Sequence, residues 1–152
     1  MICGIEAAVE NYGGTIDELI YIYFENDFRP GWAYGEPEEV VAWLEEFAAR
    51  HGIQKVSVVY ASFIYNIIPQ LTRFKGHPTY RRPNHYAEKR RLADAVANAK
   101  FDFIDFADIA QEENRKQGTM FAAFALYVDH SHFSRLGILK LVERLRNSKG
   151  KS

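Results

Sequence analysis

Asp129 and His132 are the residues of this 152-residue chain whose types and spacing could do chemistry together. A carboxylate three residues before an imidazole can hold the ring in one tautomer, and the second ring nitrogen then takes a proton as a general base. Both lie in Tyr127-Val128-Asp129-His130-Ser131-His132-Phe133-Ser134-Arg135-Leu136-Gly137, between an apolar segment and the start of a helix. Such a base needs a nucleophile. Ser131 and Ser134 are close in sequence, but neither stands on a strand-to-helix elbow, and Ser134 suits a helix N-cap. Ser62 is the only other serine expected near the same rim, and Cys3, in Met-Ile-Cys-Gly, reads as a small buried side chain. His130, His132 and Asp129 offer imidazole and carboxylate, which zinc or iron accepts, but two His at i and i+2 are too few to specify a metal. These residues call for no metal and no cofactor.

The elements that must position the pair follow from hydrophobic patterning. Leu19-Ile20-Tyr21-Ile22-Tyr23-Phe24 is a continuous apolar run, the pattern of a strand buried on both faces of a parallel sheet, and it ends in Glu25-Asn26-Asp27. Residues 56–61 and 101–105 read as two further strands. Helices are expected from Ile5 to Tyr12, with Ile5, Ala8, Val9 and Tyr12 on one apolar face and Gly13-Gly14 as its end, and from Glu36-Pro37-Glu38-Glu39, where proline and acids suit a first turn, to the stop at Gly52. A third is expected over residues 87–99, with Leu92, Val96 and Ala99 inward. The last follows Ser134, with Leu136, Leu139, Leu141, Val142 and Leu145 mostly buried. Residues 112–118 read as a polar loop. The strand–helix–strand order predicts an α/β domain with right-handed parallel crossovers. Ligands of such sheets sit at the carboxyl ends of the strands, where Asn26, Asp27, Ser62 and Asp105 would fall and which the Asp129–His132 loop would have to reach.

Composition bounds the partners. Nineteen basic and twenty acidic residues leave a net charge of −1, with no sign of a nucleic-acid or membrane-surface protein. One cysteine excludes an intramolecular disulfide and any multi-cysteine metal site. No apolar run has the ~18–20 residues of a membrane span. Residues 1–6 lack the basic and apolar regions of a signal peptide, which would make the protein cytoplasmic if Met1 is the true start. Between residues 62 and 86 prolines break an aromatic and basic stretch, with Arg73, Lys75, His77, Tyr80, Arg81, Arg82, His85 and Tyr86 as a possible lid or binding loop, or a solvated insertion.

Phe24-Glu25-Asn26-Asp27 after an apolar strand, with Asp129-x-x-His132 before a Ser-capped helix carrying Gly137, resembles the SGNH (GDSL-type) hydrolase superfamily. That resemblance covers about residues 10–147. It implies a flavodoxin-like three-layer α/β fold, here cut to about three parallel strands near 19–24, 56–61 and 101–105, in one N-terminally incomplete domain over residues 1–152. By position it makes Asn26 the side-chain donor to the oxyanion, Asp27 a brace of the site, Asp129 the residue orienting the imidazole and His132 the general base. Phe24 stands where the family's block has Gly. The larger departure is that no Gly-Asp-Ser, the family's nucleophile turn, occurs anywhere in the sequence. The chain therefore looks like the C-terminal two-thirds of such a hydrolase.

Two functions follow as expectations. The first is a serine ester hydrolase or acyl-transfer domain acting on a small-molecule or glycan ester, inactive in this chain for want of its nucleophile. The second is a non-catalytic remnant that binds or oligomerises, forming a homodimer along residues 19–24, since an apolar strand at a sheet edge is normally covered.

Overall fold

Three strands, β1 (Glu18–Phe24), β2 (Lys55–Ala61) and β3 (Asp102–Asp105), form a parallel sheet in the order β1-β2-β3. The computed structural model describes residues 2–24, 36–62, 85–119, 121–129 and 132–148. Register runs from Glu18 opposite Lys55 to Phe24 opposite Ala61, and from Ser57 opposite Asp102 to Tyr60 opposite Asp105. At the amino ends Lys55 lies 3.4 Å from Glu18 and 3.1 Å from Asp102, an ion pair on each side that joins all three strands. Asp102, and after it Glu18, holds the Lys55 ammonium above its ordinary range.

Two cores lie on opposite faces of the sheet. Val56, Val58 and Tyr60 point to one side, where they pack with Val40, Val41, Leu44, Phe47 and Ala48 of α2 (Pro37–His51) and with Leu92 and Val96 of α3 (His85–Asn98). Val59 and Ile104 point to the other, against Phe106, Ile109 and Ala110 of α4 (Phe106–Gln117), Ala123 and Leu126 of a 3₁₀ turn (Ala122–Leu126), and Leu141 and Leu145 of α5 (Arg135–Ser148). The period-2 alternation of β2 thus feeds both layers, and every residue from Val56 to Ala61 is buried. A three-stranded parallel sheet between helical layers results, the coarse α/β class that the sequence predicts. Helix α1 (Ile2–Tyr12) precedes it, with Val9 against the first core and Gly13 turning the chain at φ 64°. Among the described residues no helix is long and apolar enough to cross a membrane.

Four expectations are corrected. Burial on both faces belongs to β2 and not to β1, where Ile20 and Phe24 are 42% and 37% exposed. Among the described residues β1 pairs only with β2, and its Ile22 is only partly buried against the α4–α5 core. The polar loop expected over residues 112–118 is the second half of α4, ended by Gly118 in the left-handed region. It is helical because Asp105 Oδ1 caps its start by accepting from Ala107 N–H at 2.9 Å. Along its length Glu112 pairs with Lys116 at i+4, while Glu113 reaches Lys140 of α5. In α5 the inward face is Gly137, Leu141 and Leu145; Leu136 and Leu139 are exposed. Tyr12 faces solvent as well.

Candidate functional site

The 3₁₀ turn ends at Leu126, and the chain then folds back in a tight antiparallel loop closed by a bridge between Tyr127 and Phe133. Val128 N–H donates to His132 O at 2.8 Å, and Ser134 N–H to Leu126 O at 2.9 Å. Ser134 closes the structure below. Its hydroxyl donates to Ala125 O at 2.6 Å and accepts from Gly137 N–H at 3.1 Å, so it is the N-cap of α5, as the sequence predicts, and is committed to that role. Gly137 is required there: a Cβ would collide with the Leu126 carbonyl, so the first turn of α5 rests on the 3₁₀ turn without a side chain between them.

Asp129 and His132 face each other across this loop. Asp129 uses both oxygens on one residue: Oδ1 accepts from His132 N–H at 2.9 Å, and Oδ2 lies 2.7 Å from His132 Nδ1. One bond fixes the backbone and the other the ring. With the carboxylate ionised, Nδ1 carries the proton it donates, and in the neutral ring Nε2 holds the lone pair. Side-chain exposure of 72% for His132 and 46% for Asp129 leaves the pair reachable from solvent. The same exposure means that the interaction contributes little to stability.

Aromatic and backbone ties place this loop over the carboxyl ends of the strands. Phe133, next to His132, stacks on Phe106, the residue after β3, with ring centroids 3.9 Å apart. Its ring is 6.4 Å from that of Phe24, the last residue of β1. Tyr127 donates its hydroxyl to Ser62 O, the residue after β2, at 2.8 Å, and packs edge-on against Phe106 and Phe133 at 5.6 and 5.7 Å. All three strand ends therefore touch the loop that carries Asp129 and His132. Open parallel sheets place ligands at this rim.

Ser62 meets this loop through its backbone carbonyl and is buried. Asn26 and Asp27, His130 and Ser131, and the aromatic and basic segment 63–84 lie outside the described residues, as do the side chains of Cys3, His85 and Tyr86. Among the described residues no group of three His, Cys, Asp or Glu could hold a metal ion. Tyr127 and Phe133, which anchor the loop, were not singled out by the sequence; their one signal is that aromatic residues flank the Asp–His pair on both sides. The rim carries two more polar ties on the α2–α3 side. Lys89 pairs with the buried Asp105, and Tyr23 donates its hydroxyl to Glu88 Oε1 at 2.9 Å. Burial, and then the Glu88 carboxylate, pushes the Tyr23 phenol well above its ordinary value. Comparison of the chain with protein families and with curated proteins finds no match.

Proposed function

We propose that this chain carries the base of an SGNH-type ester hydrolase or acyl-transfer domain built on a flavodoxin-like three-layer fold. One observation carries the reading: an Asp129–His132 pair at 2.7 Å on a loop that touches all three carboxyl strand ends of a parallel sheet. In the parent reaction a serine oxygen attacks the carbonyl carbon of a small-molecule or glycan ester. His132 Nε2 takes the hydroxyl proton while Asp129 stabilises the imidazolium that forms. The oxyanion is held by a backbone N–H and, by the resemblance alone, by the Asn26 side chain, with Asp27 bracing the site. His132 returns the proton to the departing alcohol, and water in turn releases the acyl group. Without Gly-Asp-Ser in the sequence, the base has no nucleophile to activate, and the 152-residue chain is inactive or severely impaired. Turnover of p-nitrophenyl acetate is expected at background in both the chain and its His132→Ala variant. Activity well above background that H132A removes would overturn the inactivity and place a nucleophile within these residues.

The exposed apolar side of β1 favours a second reading, a non-catalytic module that pairs with a copy of itself. Its seven residues contain no Lys or Pro, the usual guards of an open edge, and Ile20 and Phe24 are exposed. A homodimer joined along β1 is expected by light scattering. A monomer at high concentration, unchanged by Ile20→Lys, would count against it.

A further inference from the structure

We infer that Tyr127 is a positioning residue for the Asp129–His132 pair, coupling the state of the imidazole to the carboxyl end of β2. This rests on the reading of that pair as a base. Asp129 and His132 are exposed and meet at 2.7 Å on a short loop. Both ends of that loop are anchored at the sheet rim. Phe133 supplies one end by stacking on Phe106.

Tyr127 supplies the other, and it does three things at once. Its backbone bridges to Phe133, closing the loop. Its ring meets the Phe133 ring edge-on at 5.7 Å, so the neighbours of both dyad members are held against each other. Its hydroxyl, at the end of a buried side chain, donates to the Ser62 carbonyl at 2.8 Å. That bond joins residues 65 apart in sequence and ties this loop to the residue after β2. A buried carbonyl stripped of its donor carries a desolvation penalty, so the tie is strongly directional. Removing the hydroxyl while keeping the ring should free the Tyr127 end to shift, and with it the distance between Asp129 Oδ2 and His132 Nδ1.

The readout is the imidazole tautomer, which packing elsewhere would not move. Long-range ¹H–¹⁵N correlation spectra of the labelled chain at about pH 8, where an ordinary imidazole is neutral, report which ring nitrogen carries the proton. The wild type is expected to hold it on Nδ1. Asp129→Asn, which removes the carboxylate, should return His132 to the Nε2-protonated form that imidazole favours in water. Tyr127→Phe should fall between the two, and Leu141→Ala, a cavity on the α5 side of the same core, should match the wild type. A Y127F spectrum superposable on the wild type overturns the inference, as does an equal shift in L141A, which would make the effect one of general loosening. If wild type and D129N give the same tautomer, the base reading itself falls, whatever the ester assay shows. Should Y127F not fold, Phe133→Leu keeps the hydroxyl bond, removes the ring against which Tyr127 packs, and carries the same expectation.

Discussion

Gly137 lies directly on the carbonyl of Leu126, so close that a Cβ at Gly137 would collide with that oxygen and stand 3.1 Å from the carbonyl carbon. A helix meets a turn backbone to backbone, and the loop bearing Asp129 and His132 springs from the same junction. In an unconstrained helix, Gly→Ala is stabilising by about 1 kcal/mol. Here the clash is with rigid backbone, and overpacking of that kind costs about 1–3 kcal/mol. Gly137→Ala is therefore expected to lower stability on balance, read as a lower urea midpoint. A midpoint at or above the wild type would show that the junction can open without penalty.

The burial of α5 gives a paired prediction. Leu139 and Leu141 are two residues apart and look alike in sequence, but Leu141 is 3% exposed and Leu139 56%. Leu141→Ala should cost about 2–5 kcal/mol through lost transfer energy and a cavity. Leu139→Ala should change stability by no more than about 0.5 kcal/mol. Comparable losses at both positions in chemical denaturation would mean that Leu139 is covered in solution.

Tyr23 makes stability depend on alkaline pH. Burial and the Glu88 carboxylate raise the pKa of the folded phenol above its ordinary value of 10.0. Above that pH the unfolded chain gives up its proton while the folded chain keeps it. The stabilisation is thus complete below pH 10 and is lost as pH rises beyond it, by at most about 1.4 kcal/mol per pH unit for one proton. Tyr23→Phe loses the hydrogen bond to Glu88, about 1 kcal/mol at neutral pH, and should show a flatter alkaline limb. Urea midpoints measured across pH 9–12 decide it (about one unit below the ordinary value to two above). Parallel limbs for wild type and Y23F would remove Tyr23 as the cause.

Asp129 should matter for reactivity and hardly at all for stability. Both partners are largely solvent-exposed, and exposed pairs are worth about 0–1 kcal/mol. Asp129→Asn should keep the denaturation midpoint within that range, because an amide oxygen can still accept from His132 N–H. The tautomer that leaves Nε2 its lone pair depends on the carboxylate, so diethyl pyrocarbonate should modify His132 more slowly in D129N. Equal rates by mass-spectrometric mapping would show that Asp129 does not orient the ring.

Much of the site was legible locally. Asp129 and His132 are three residues apart, so one tight loop brings them together, and Ser134 with Gly137 announces the helix that follows. The strands were legible from apolar runs, and their carboxyl ends from the polar residues after them. The second half of helix α4 has the charged composition of a loop, although Asp105 and Gly118 bound the helix as N-cap and C-cap. Caps at both ends are stronger evidence than polarity between them.

What the sequence determined by itself is whatever depends on neighbours along the chain: the α/β alternation, the Asp–His spacing and the cap at Ser134. What only the tertiary structure decided is which surfaces meet. Order in the sheet left β1 half-covered and β2 sealed, although the β1 run is the more continuously apolar and β2 carries Ser57, because burial is set by a strand's neighbours in the sheet. The same holds for the site. Tyr127 finds Ser62, and Phe133 finds Phe106 and Phe24, across separations that no local pattern encodes. Close packing at the sheet rim holds the loop on which Asp129 and His132 meet.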